Sequence, residues 1–308
     1  MGFMKKVGTF FRKWSLKRFA YNLYWLGKYN MEEREFDAAY KIKDELLEEC
    51  ARELEDYKKE LVQLQVLDGR QTIALLASHP KSFTRYGDGE IHIMEGQDQS
   101  FQKYDPALAQ KMLDILAKKR DDVYVGLNHA YWESPNSYSQ RNRKFYRVRA
   151  TGYRRFFTEH CEKESLYLDA ACFGAYYRYG DEFDFEGHYE RIRELFRGKK
   201  VAIVAGEGVF EKLEHNVFDR AEAQLIIHGP RIHAFSRYEQ LLEQVDKTVP
   251  KDYLVCLILG QTATAMVPDL TDMGYMAWDV GHLAKDYDAY MKKTEKTQKN
   301  MDAFWAPD

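Results

Sequence analysis

The chain has 308 residues, 45% of them hydrophobic and 15% aromatic, enough for one large packed domain or a domain with an appendage. A charged fraction of 31% and the lack of any apolar run of about 18 residues exclude a membrane-spanning class. A net charge of −3 excludes the global basic field of a nucleic-acid binder. That near-neutrality hides an asymmetry: residues 1–30 hold seven Lys and Arg and no Asp or Glu, so the remainder carries −10.

Cys50, Cys161, Cys172 and Cys256 are far apart and form no CxxC pair, which argues against zinc ribbons and disulfide frameworks and for a reducing cytoplasm. The basic N-terminus lacks the apolar core and small-residue cleavage site of a signal peptide.

Residues 1–30 have helical two-sidedness. Phe3, Val7, Phe10, Phe11, Trp14, Tyr21 and Trp25 share one side, with Arg18 intruding, and the lysines lie elsewhere. Such a helix suits the face of an anionic membrane, or it packs on protein, its own chain or a partner. From Met31 to about Leu67 the sequence is Glu/Lys/Leu-rich, with Leu46, Leu47, Leu54, Leu61 and Leu64 at helical spacing. That pattern predicts a long exposed helix or a short coiled coil, and so admits a homodimer. "LDGR" (67–70) reads as a break.

Beyond it the pattern is helix, turn, strand, loop and helix, with Pro80 closing the first helix and a short strand at Phe83–Tyr86. "DPALAQKMLDILAKK" (105–119) is an amphipathic helix with Asp105 as N-cap and Pro106 at its first position. "DVYVGL" (122–127) is a strand that ends in a polar loop. The last third reads as a buried strand into a Gly loop (199–208), a second strand (223–230), a helix (238–247), a third strand with a small-residue loop and a helix start (252–270), and a fourth strand with its exit (275–282). Continuous apolar strands alternating with helices imply a parallel sheet covered on both faces, with ligands at the carboxyl ends of its strands.

Several motifs fall at those ends. "VAGEGVFEKL" places Glu211 where a dinucleotide fingerprint needs its third glycine, so a nicotinamide enzyme is disfavoured, and there is no GxxxxGK[ST] loop. "GQTATA" (260–265) sets backbone amides and the hydroxyls of Thr262 and Thr264 where a helix begins, a pattern that suits phosphate and equally suits close packing. In "RYGDGE" (85–90), Asp88 and Glu90 are two residues apart, and in an extended segment both would face one way. Two such carboxylates suit Mg²⁺ or Mn²⁺, and Arg85 adds a cation for phosphate. His282 in "WDVGH" follows a strand with Asp279 nearby. Metal ligation, phosphate contact, base chemistry and a structural role all remain open to it.

Taken together, "RYGDGE…FQKYD", "KKVAIVAGEG", "HGPRIHAFSRYEQLL", "LILGQTATAMVPDL" and "GYMAWDVGHLAKDYDAY" resemble the GT-D type glycosyltransferases, bacterial enzymes of adhesin glycosylation and surface-polysaccharide synthesis. The resemblance covers about residues 71–293, with residues 1–70 a helical extension and 294–308 a tail. It implies a Rossmann-like α/β fold, mostly parallel, with helices on both faces. It also implies a UDP-sugar donor, a glycan or glycoprotein acceptor, and Mn²⁺ or Mg²⁺ held by Asp88 and Glu90, with His282 as a further ligand or catalytic group. Arg85, Gly87, Gln102, Gly206, Glu207, Gly260, Thr262, Thr264 and Asp279 fall on the donor-binding motifs. Arg178 in "AYYRYG" stands where the family shows a Thr-Arg pair. Glu207, Asp279 and His282 are then the candidates to orient or deprotonate the acceptor hydroxyl. Two other functions fit the same residues, hydrolysis of a nucleotide-diphosphate sugar and a non-catalytic place in a glycan assembly at the inner membrane face.

Overall fold

A computed structural model describes residues 64–133 and 135–306. The expectations for residues 1–63, the cationic helix with its membrane or partner contact and most of the charged helix, lie outside the described residues.

The elements follow in chain order: β1 (Gln65–Val66), α1 (Gly69–Ser78), β2 (Ser82–Tyr86), α2 (Asp88–Met94), α3 (Pro106–Ala117), β3 (Val123–Leu127), α4 (Gln140–His160), β4 (Leu166–Asp169), α5 (Phe185–Phe196), β5 (Lys200–Gly206), β6 (Ala223–Gly229), α6 (Tyr238–Thr248), β7 (Leu254–Ile258), α7 (Gln261–Asp272), β8 (Met276–Asp279), α8 (Leu283–Met291) and α9 (Gln298–Trp305). The strands form one sheet in the order β1-β4-β3-β2-β8-β7-β5-β6, and every pairing is parallel.

This is the expected Rossmann-like architecture with two covered faces, and the alternation within its strands shows why. In β5, Val201, Ile203 and Ala205 enter the core beneath α1, α5 and α8, whereas Ala202 and Val204 enter the core beneath α2, α3, α4, α6 and α7. Leu254 and Cys256 of β7 go to the first core, and Val255 and Leu257 to the second. A strand buried on both sides has no polar face, hence the continuous apolar runs.

Three features differ from expectation. The helix expected to reach about Leu67 has given way by Gln65, where β1 pairs with β4 as an edge strand. "LDGR" is a helix start: Asp68 accepts from the Gln71 amide at 2.8 Å while Gln71 Oε1 accepts from the Asp68 amide at 3.1 Å, a capping box. The polar stretch after β3 passes into the 21-residue helix α4, whose buried face is Tyr146, Val148, Thr151, Tyr153 and Phe157, with Val148 its one aliphatic member.

The order of the strands determines where a ligand can sit. From β2 the chain builds outward through β3 to β4, and from β5 to β7 it returns to finish with β8 against β2. The carboxyl ends of β2 and β8 therefore flank a topological switch point, where adjacent connections diverge and leave a crevice. Helix α7 is laced to this seam by hydroxyls: Thr84 Oγ1 donates to the Thr264 carbonyl (2.8 Å), Thr264 Oγ1 to the Arg85 carbonyl (3.0 Å), and Thr271 Oγ1 to Ser82 Oγ (2.7 Å). Trp278 of β8 is fully buried opposite Phe83 and donates its indole N–H to the Lys81 carbonyl at 2.8 Å. Replacing Trp278 with alanine should cost about 3–5 kcal/mol, read as a lower urea midpoint at unchanged slope.

Candidate active site

Beyond the ends of β2 and β8 lies a cavity of about 360 Å³. Its floor is an ion pair. Arg85, near the end of β2, donates from Nη2 to Asp279 Oδ1 of β8 at 2.8 Å and from Nη1 to the Ala170 carbonyl, just past β4, at 2.7 Å. Both side chains are nearly enclosed, 15% and 6% exposed. Burial pushes the Asp279 carboxyl above its ordinary range, while Arg85 and the Gly281 amide, which donates to Asp279 at 3.0 Å, pull it back. Gly281 has φ +49°, and a β-carbon there would lie 2.0 Å from Arg85 Nη2. Only glycine allows the turn and the guanidinium to occupy the same corner.

The acidic side of the cavity is the first turn of α2. Asp88 and Glu90 do not lie on an extended segment, as the two-residue spacing suggested. Asp88 is the first helical residue, exposed at the mouth, and Glu90 folds back so that Oε2 accepts from the Gly87 amide at 2.7 Å. Helical geometry separates their directions, yet both line the cavity. The Glu90 carboxyl is pushed up to about 7, chiefly by burial, with Asp279 and Asp88 adding repulsion and the Gly87 amide and Arg85 opposing it. Gly89 between them faces Gln261, whose Nε2 would lie 2.4 Å from an added β-carbon.

The basic and aromatic side joins Arg178 and His282, both singled out from sequence, to Phe101, Arg141, Phe304 and Trp305, which the sequence left without a role. Arg178 lines the cavity, bonded through Nη1 to the Tyr146 hydroxyl at 3.3 Å, and its guanidinium lies 5.6 Å from the Trp305 ring. Phe101, Phe304 and Trp305 surround the His282 imidazole at centroid distances of 5.5, 5.3 and 5.4 Å. Arg141 pairs with Asp302 at 2.9 Å and so ties the start of α4 to α9. The tail expected at 294–308 thus carries a helix that forms one wall of the cavity. Its only sequence trace was an aromatic pair near the end of the chain.

Of the residues singled out from sequence, Arg85, Gly87, Asp88, Glu90, Arg178, Gly260, Asp279 and His282 converge on this cavity. Others do not. The hydroxyls of Thr262 and Thr264 turn inward: Thr262 donates to Gln102 Oε1 at 3.3 Å, and Thr264 to the β2 backbone. Both side chains are fully buried, and the packing reading of "GQTATA" holds for them. Gln102 is itself buried, accepting from the Phe235 amide at 3.2 Å, and it supports the loop that places Gln99, Ser100 and Phe101 in the wall. Gly206 and Glu207 end β5 away from the cavity, where Glu207 is exposed and its carbonyl accepts from Arg231 Nε at 2.5 Å. Of the three candidates to handle the acceptor hydroxyl, Glu207 is therefore outside and Asp279 is committed to Arg85. His282 stays on the wall.

The residues fit a divalent cation in part. Asp88 and Glu90 are hard oxygen donors, with Asp279 adding negative charge beside them. Among the described residues no three His, Cys, Asp or Glu side chains converge on one point, so His282 does not complete a preformed triad. Protein ligands would leave several positions to phosphate oxygens and water, which is usual for Mg²⁺. The cavity also fits an anion. Arg85 Nε and Arg178 Nε are buried donors without partners, and α7 and α8 both begin at its edge.

Comparison with known proteins agrees with this geometry. The chain is 28% identical over 246 residues to the glycosyltransferase GlyD of Streptococcus pneumoniae serotype 4, a match covering 78% of this chain and 29% of that protein. It is 26% identical over 234 residues to a probable glycosyl transferase, Gly, of Streptococcus gordonii, covering 73% and 33%. It therefore spans about a third of the length of these relatives. A solved structure of domain of unknown function 1792, described as having a distinct glycosyltransferase fold, superposes with a TM-score of 0.70 at 29% identity, covering 76% of this chain and 84% of that one. A glycosyltransferase structure from Streptococcus sanguinis superposes equally well, also at 0.70, with 24% identity, which speaks for the fold alone. The family model for the glycosyltransferase GT-D fold matches residues 83–304, from β2 to the penultimate residue of α9, and the chain belongs to that family.

Proposed function

We propose that this protein transfers a hexose from a UDP-sugar to a glycan or glycoprotein acceptor with the help of Mg²⁺ or Mn²⁺. The observation that carries the reading is the polarity of one cavity. Carboxylates of α2, with the start of α7 beside them, face the same space as Arg178 and the start of α8, and the buried Nε donors of Arg85 and Arg178 have no partner. A sugar diphosphate whose charge is partly met by a cation satisfies the carboxylates and the donors at once.

In this reading Asp88 and Glu90 would hold the cation, which when bound supplies charge neutralisation for the departing diphosphate. Arg178 faces the phosphates, and Arg85 keeps the ends of β2, β4 and β8 in register beneath them. Phe101 and Trp305 offer flat apolar surfaces for a base or sugar ring. The acceptor oxygen bonds to the anomeric carbon, the bond from that carbon to the diphosphate breaks, its electron pair leaves with UDP, and the hydroxyl proton passes to a base or to water. His282 is assigned to contact with the phosphates or the cation, since Gly281 brings the backbone close at that corner.

The direct test is UDP release from a panel of UDP-sugars with Mn²⁺ and oligosaccharide acceptors. Acceptor-dependent release supports transfer. Free sugar formed equally without acceptor would convert the reading to a hydrolase, and no turnover of any donor would leave the glycan-assembly role.

Asp88 is exposed, so Asp88→Asn should leave thermal stability within about 0.5 kcal/mol of wild type and abolish turnover. Full activity in both Asp88→Asn and Glu90→Gln would remove the acidic turn from the mechanism. Gly281→Ala should displace the Arg85 guanidinium and lower kcat/KM by about tenfold or more, a loss of roughly 1.4 kcal/mol in transition-state stabilisation. Wild-type kinetics in that variant would show that the Arg85–Asp279 corner is not needed for chemistry.

A further inference from the structure

A second cavity, of about 800 Å³, lies on the far side of the same wall. Ala170, Asn142 and Arg178 face the first cavity, while their chain neighbours Asp169, Arg143 and Tyr179 face the second. The dividing wall is thus a single layer of chain, built from the start of α4 and the segment that follows β4.

The chemistry of the two sides differs. Six carboxylates and three arginines line the second cavity, an excess of negative charge that disfavours a diphosphate. Tyr138, Tyr179 and Phe183 form a ladder of parallel rings along it, at centroid distances of 4.7 and 4.1 Å and interplanar angles of 19° and 11°. His188 on its wall is only 5% exposed, and its Nε2 has no partner. Burial lowers this imidazole to about 4, so it is neutral near pH 7 and carries one N–H and one lone pair. Arg191 Nε is likewise buried and unpartnered. A buried polar atom left without a partner costs stability unless something else supplies the bond. At the rim, exposed Glu133 accepts from the Tyr138 hydroxyl and lies 3.4 Å from His129 Nε2, which fixes its carboxylate in place.

We propose that this second cavity binds a neutral saccharide, a polyhydroxylated ring or short chain of rings, at a site that the wall separates from the reacting centre and that therefore does not hold the reacting hydroxyl itself. Hydroxyls both donate and accept, which suits a neutral imidazole. Paired hydroxyls suit a carboxylate with four lone-pair sites, and the C–H groups of a sugar ring suit the apolar edges of the stacked rings, whose faces cover one another. The excess of carboxylates keeps nucleotide phosphates to the other side of the wall. The proposal rests on the sugar-transfer reading above, but its binding test does not depend on turnover.

The test uses the full chain and a probe panel of the methyl glycosides of glucose, galactose and N-acetylglucosamine, with lactose and chitobiose. Binding is followed by ligand-observed NMR with and without saturating UDP and Mn²⁺. At least one probe should bind, and UDP should not displace it. His188→Phe loses no partner at Nε2 and places a ring beside Phe183 and Tyr189, so it should keep its stability and its UDP affinity while weakening the probe by about tenfold. Glu133→Gln, at an exposed position, should do the same and serves if His188→Phe does not fold. Absence of binding by every probe, displacement by UDP, or undiminished binding in both variants overturns the proposal. Failure of UDP to bind at all, with glycoside binding retained, would instead count against the donor reading.

Discussion

The structure around the site depends on one ion pair. Arg85 is the penultimate residue of β2, Asp279 the last of β8, and the two strands meet where the order of the sheet reverses. By also bonding the Ala170 carbonyl, the guanidinium ties the carboxyl ends of three strands to one point. Nearly enclosed charges are costly to desolvate, and the arrangement stands because each charge has the other and further hydrogen bonds as well. Removing one partner would leave an uncompensated charge beneath the cavity, at the place where geometry matters most.

Around that corner negative charge is concentrated more than its few cations balance. Burial raises the Glu90 carboxyl, with Asp279 and Asp88 adding repulsion, and Arg85 is already engaged by Asp279. A folded protein tolerates such crowding when a proton or a metal ion takes part in it. The acidic turn and the unpartnered arginine nitrogens are two halves of the same imbalance, and both face the same space.

The C-terminal helix α9 gives this space its far wall. Met301 and Phe304 pack on Tyr177 and Ala289, and the Arg141–Asp302 pair anchors the helix to α4, so Trp305 is held beside Arg178 and His282. The ends of the described segment therefore both serve the sheet and its cavity, with β1 at one edge and α9 over the strand ends. Between the two cavities the segment after β4 works on both sides. Its carbonyl at Ala170 anchors Arg85, and the Asp169 carboxylate accepts from the His129 amide at 3.0 Å and the Ala171 amide at 2.9 Å to hold the wall in shape.

What the sequence determined by itself was whatever rests on local pattern. Uninterrupted apolar runs specify strands buried on both faces, Asp105-Pro106 specifies a helix start, and "RYGDGE" and "WDVGH" mark strand exits that carry charge. Those signals, with the Gly260 loop, sufficed for the fold class and for seven of the residues around the cavity, and the family resemblance added Arg178. Tertiary structure decided the rest, because the deciding partners are far apart in the chain. Nothing local shows that Thr264 spends its hydroxyl on Arg85, 179 positions away, or that Asp88 and Glu90 open a helix instead of ending a strand. Helix α4 escaped the pattern because its buried face is aromatic and flanked by arginines, and β4 because four residues are too few to show a period. Gly281 could be read only as a turn, and its need to leave room for a guanidinium from another strand exists only once the sheet has brought β2 beside β8.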